Sequence, residues 1–178
     1  MPRSGLVLTF MILLMFTACS KSANPLSIET TVQPAAENAS KRIASTDVVT
    51  AVPEAVEIAT GASSEVTVRL TIQSGYHVNA NPPTFSYLIP TELTITPANG
   101  VSVGAITYPP PINVKLSFSE KPLAVYEGET KIRATLKADK SAKPGEYSLA
   151  TKLRIQACDD QVCYPPGTRD LTIPVRIK

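Results

Sequence analysis

From residue 55 onward, apolar and polar residues alternate in short runs with the two-residue period of strands. The clearest run is 65–73, with Val66, Val68, Leu70 and Ile72 on one face and Thr67, Arg69, Thr71 and Gln73 on the other. Such alternation suits a sheet with one buried and one wet face. Weaker runs predict strands at 55–59, 85–89, 92–96, 101–108, 113–118, 123–126 and 130–138. Residues 75–83 read as a bend and a short extended piece, and 143–146 as a turn. No segment of this region carries a convincing amphipathic helical pattern. One-sided sheets must bury their apolar faces against each other, so the expected fold is all-β, an antiparallel β-sandwich.

The chain closes on two further alternating runs. Leu149, Thr151, Leu153 and Ile155 precede a cysteine pair, and Leu171, Ile173, Val175 and Ile177 follow it. They predict two antiparallel strands with Cys158 and Cys163 at their joined end. Facing residues of such a pair lie close enough for a disulfide, so the geometry permits a Cys158–Cys163 bridge without requiring one.

The first residues follow another pattern. Arg3 supplies a positive charge, and an apolar run of about a dozen residues follows, too short to span a bilayer. Residues 1–18 are therefore expected to be a signal peptide. The sequence Phe16-Thr17-Ala18-Cys19-Ser20 resembles a bacterial lipobox, in which the cysteine is acylated and becomes the mature N-terminus. Cys19 is then a lipidation site, and acyl chains supply a stable membrane anchor. Ser20 after it favours the outer membrane by the sorting rules of such lipoproteins. Residues 19–46 read as the lipidated cysteine and a flexible tether of roughly 30 Å reach. Residues 47–178 form the expected domain.

With Cys19 acylated, two thiols remain in an exported chain, where a disulfide persists. If Leu153 and Ile155 point inward, parity turns Cys158 away from the core and towards the surface. A disulfide closing so small a loop contributes only about 2 kcal/mol to stability, which favours a reactive pair over a staple. Asp159 and Asp160 oppose this, because nearby carboxylates disfavour a thiolate. On the residues alone, redox exchange and a structural staple both stand.

The sequence Ala157-Cys158, four residues, then Cys163-Tyr164-Pro165-Pro166, with Gly75-Tyr76-His77-Val78-Asn79 upstream, resembles the N-terminal periplasmic domain of the thiol:disulfide interchange protein DsbD. The likeness covers roughly residues 50–178. It implies an immunoglobulin-like sandwich that passes electrons from a thioredoxin-like donor to periplasmic thiol proteins. Carried over, Cys158 and Cys163 are the catalytic redox pair. Cys163 forms the mixed disulfide and Cys158 resolves it. The family shields its cysteines with a loop, and residues 123–128 fall near that place. Tyr126 is the candidate shield, and Tyr164 is a second aromatic expected beside the disulfide. The cysteine spacing is one residue shorter than in the best-known member. The 178 residues include neither the family's membrane domain nor its thioredoxin-like domain, so the reductant is expected to be another protein. The competing expectation is an immunoglobulin-like adaptor whose disulfide is structural.

Composition narrows the remaining choices. A net charge of +2 without a basic patch gives no support for nucleic-acid binding. His77 is the only histidine, so a His₂Cys copper site cannot form within one chain, and two cysteines with one histidine fall short of zinc's four ligands. A Ser-His-Asp triad would need His77 and has no nucleophile motif. His77 reads as a loop or sheet-end residue, and Pro109-Pro110-Pro111 as a rigid connection. No cofactor is implied.

Overall fold

The computed structural model describes residues 43–178. The signal peptide, Cys19 and nearly all of the tether lie outside the described residues. A 3-10 turn at Ser45–Val48 leads into twelve strands. They are β1 (Val49–Pro53), β2 (Val56–Ile58), β3 (Ser63–Ile72), β4 (His77–Asn79), β5 (Glu92–Ile95) and β6 (Val101–Thr107). Then come β7 (Ile112–Val114), β8 (Leu123–Tyr126), β9 (Glu129–Ala138), β10 (Gly145–Ile155), β11 (Ala157–Cys158) and β12 (Gly167–Ile177).

Three sheets result, with strand orders β1-β3-β9-β6, β2-β12-β10-β5 and β11-β4-β8-β7. Every named pairing is antiparallel except β2 beside β12. The first two sheets bury their alternate residues in one core. Val66, Val68 and Leu70 of β3 and Ile132 and Leu136 of β9 enter from one side, Leu149, Leu153 and Ile155 of β10 and Ile173 of β12 from the other. This is an immunoglobulin-like sandwich. The expected pair around the cysteines is present: β10 and β12 run in unbroken register from Gly145 opposite Ile177 to Ile155 opposite Gly167.

One expected strand is not formed and another is cut short. Residues 85–89 make a turn, in which the Leu88 amide donates to the Phe85 carbonyl at 3.1 Å. Strand β7 stops at Val114, so 115–118 continue as a loop whose Ser117 amide donates to the Asp160 carbonyl at 3.1 Å. In both places a buried leucine, Leu88 or Leu116, covers the third sheet instead of pairing. Strand β1 was not foreseen. It pairs only with β3, at an edge where Pro53 is tolerated because a missing N–H costs no ladder bond there.

Candidate functional site

The third sheet places the cysteines. After Ile155 the chain leaves β12 and forms β11, which pairs Ala157 with Val78 and Cys158 with His77. Gln156 spans this turn. Its Oε1 accepts from Asn79 Nδ2 at 3.0 Å and from the Ile89 amide at 2.9 Å, and its Nε2 donates to the Tyr164 carbonyl at 3.3 Å. Ser45, fully buried, ties the two ends of the cysteine loop together. Its Oγ accepts from the Ala157 amide at 2.9 Å and donates to the Pro165 carbonyl at 2.6 Å. Ser45→Ala strands the buried Ala157 N–H and is expected to lower stability by about 1–3 kcal/mol in urea denaturation.

Cys158 and Cys163 face each other across an antiparallel bridge and are joined as a disulfide, with Cα atoms 3.9 Å apart. The expectation that Cys158 lies near the surface is overturned: it is fully buried. Its direction is as parity gave, on the opposite side of the strand from Ala157, but that side is covered. Ala157 belongs to the main core, whereas Cys158 belongs to a second, smaller core with Leu88, Leu116, Leu123 and Val125, flanked by Phe85 and Val114. The third sheet has buried apolar residues on both faces, and Leu88 of the 85–88 turn and Leu116 of the 115–118 loop pack over Cys158 on the outer one.

Cys163 is only partly buried. It lines an open cleft of about 600 Å³ together with Phe85, Tyr87, Phe118, Leu123 and Val162. Three of these present large apolar area to solvent: Tyr87 is 73% exposed, Val162 49% and Phe118 44%. The stacked rings of Phe85 and Tyr87, 5.2 Å apart, form one wall. The two sulfurs are thus unequal, one sealed and one at the edge of an open cleft.

The loop between them has its own frame. Asp159 Oδ1 accepts from the Gln161 and Val162 amides, each at 2.8 Å, and Oδ2 accepts from the Tyr164 hydroxyl at 2.5 Å. The Tyr164 hydrogen bond, helped by those amides, holds the Asp159 carboxyl below the usual carboxylate range. The same bond pushes the Tyr164 phenol up to about 12. A lowered carboxyl stabilises above its unfolded value and loses that contribution as pH falls through the folded one, while the raised phenol contributes fully below ~10 and loses its share as pH rises through its folded value. Slow amide exchange at Gln161 and Val162 is therefore expected through the neutral range, with opening at the acid end. In Tyr164→Phe that acid transition is expected to move to higher pH.

Of the aromatic residues proposed as shields, Tyr164 packs against the main core and lies 6.0 Å from the Tyr76 ring. Tyr126 does not cover the sulfurs. It is buried in the main core, and its hydroxyl accepts from the Asn81 amide at 3.0 Å. Its neighbours Leu123 and Val125 face the cysteine instead. The covering residues Leu88 and Leu116 were missed because each sat inside an apolar run that read as a strand. His77 opens β4 at a sheet end.

The family model described as "Thiol:disulfide interchange protein DsbD, N-terminal" matches residues 46–174. No curated protein sequence matches the chain. Among solved structures, the N-terminal periplasmic domain of ScsB from Proteus mirabilis is similar, with 14% identity, a TM-score of 0.51, and coverage of 73% of this chain and 47% of that one. The chain therefore spans about half the length of that structure. The Neisseria meningitidis DsbD N-terminal domain in its reduced form shows 22% identity and a TM-score of 0.43, covering 66% of this chain and 82% of that one.

Proposed function

The chain belongs to the family of DsbD N-terminal domains, and from that premise we propose that its Cys158–Cys163 pair passes electrons between a thioredoxin-like donor and periplasmic thiol proteins. The observation that carries this reading is the inequality of the sulfurs. Exchange proceeds by in-line attack of a thiolate on one sulfur of a disulfide, and only an accessible sulfur can form the mixed disulfide. Cys163 lines the cleft and Cys158 is sealed. Cys163 thus takes the partner, and Cys158, held beside it across the bridge, resolves the intermediate. The exposed apolar wall of Tyr87, Phe118 and Val162 suits the rim of a partner's active site. Shielding falls to the segment carrying Leu116 and Phe118, in place of Tyr126. No cofactor takes part. Acylation at Cys19 would hold the domain on a membrane, the outer one by the residue after it, facing the periplasm.

A second reading draws on the burial of Cys158, which suits a staple in a binding module. The reduction potential separates the two. With the chain equilibrated against glutathione, exchange predicts a value near about −200 mV, and a staple one below about −300 mV.

A further inference from the structure

A row of three side chains crosses the third sheet on the face that holds Cys158. Ladder partners in a sheet share a face. Cys158 of β11 stands opposite His77 of β4. On the other side of β4, Val78 stands opposite Tyr126 and Asn79 opposite Val125, so the next position sets His77 against Glu127. The two side chains meet: His77 Nδ1 lies 3.3 Å from Glu127 Oε2. The order across the strands is thiol, imidazole, carboxylate.

The histidine is inside while its carboxylate is at the edge. The His77 side chain is 15% exposed and that of Glu127 53%. His77 Nδ1 is buried and out of line for a full hydrogen bond with any group among the described residues. The other charges near Cys158 are committed or turned outward. Asp159 is held by Tyr164 and the loop amides. Asp160 on the cysteine loop, and Lys115, Glu120 and Lys121 on the covering segment, are exposed. Cys158 has an apolar cluster on its remaining sides, and such surroundings disfavour a thiolate.

We infer that His77, with Glu127 beside its Nδ1, is the proton acceptor for Cys158 in the resolving step. This rests on the exchange reaction proposed above. When Cys163 is joined to a partner's sulfur, the Cys158 thiol gives its proton to the His77 imidazole as its sulfur attacks Cys163 Sγ. The Cys158–Cys163 bond forms and the bond from Cys163 to the partner breaks. The electron pair leaves with the partner's sulfur, which takes up a proton as it departs. The two cysteines are oxidised by two electrons, and the partner's disulfide is reduced to two thiols. An unassisted thiol of ordinary pKa is only about 3% thiolate at neutral pH, so a base has roughly thirtyfold to gain.

The test follows closing of the mixed disulfide in the full chain, with Cys19→Ser to leave two thiols and oxidised glutathione as the probe. The reduced chain is mixed with the probe, quenched with acid, alkylated and weighed, so that open, mixed and closed forms are counted. His77→Gln is expected to form the mixed species at the parent rate and to close it about tenfold more slowly near neutral pH. The deficit is expected to shrink steadily as pH rises into the alkaline range, where the thiol ionises increasingly unaided. Glu127→Gln, at an exposed position, is expected to slow closing by a smaller factor. Equal closing rates in His77→Gln and the parent at neutral pH, or a deficit of the same size at every pH, would overturn the assignment. A parent chain that never forms the mixed species would instead sink the exchange reaction itself.

Discussion

Replacing Cys158 with alanine is expected to turn the chain into a trap for its partner. Cys163, alone at the cleft, still attacks a partner's disulfide, but the sulfur that would displace the partner is gone. In the parent chain Cys158 stands across a bridge from Cys163, with a local concentration in the millimolar range or higher. Micromolar thiols in solution are poorer by about a thousandfold, and the lifetime of the mixed disulfide should lengthen by a similar factor. Non-reducing gels and mass measurement of the adduct read this directly. Cys163→Ala is expected to form no adduct at all, because the remaining sulfur is fully buried. Adducts of equal yield from both variants would mean that burial does not choose the attacking sulfur.

The second large effect concerns the cover. Leu116 is 1% exposed and packs with Leu88, Leu123, Val125 and Cys158. Leu116→Ala removes three carbons from a small cluster and is expected to lower stability by about 2–4 kcal/mol in urea denaturation. It should also speed reduction of the disulfide by dithiothreitol, since the segment that seals Cys158 loses its anchor. A loss of stability with an unchanged reduction rate would show that this segment does not guard the sulfurs.

The long strands were legible because each has one buried and one wet face: β3, β9, β10 and β12 alternate without interruption. The third sheet was not, for the same physical reason. It separates two cores, so Val125 and Tyr126 are both buried although they point to opposite sides. Period alone cannot say which core a residue such as Tyr126 enters. Cys158 shows the same limit. Its direction followed from parity with Ile155, but what lies beyond that face depends on Leu88 and Leu116, far away in sequence. The Cys–Cys–Tyr–Pro–Pro signature located the site, whereas the Ser45 tie and the Cys158–His77–Glu127 row needed strand register.

The central claim is that the bond between Cys158 and Cys163 opens and closes inside a folded domain. The direct measurement is dithiothreitol reduction of the native chain, with thiol labelling and near-ultraviolet tyrosine dichroism followed together. The account predicts that both cysteines become labelled while the tyrosine signal persists. Labelling that appears only as the signal collapses, at the denaturant concentration of global unfolding, would contradict it.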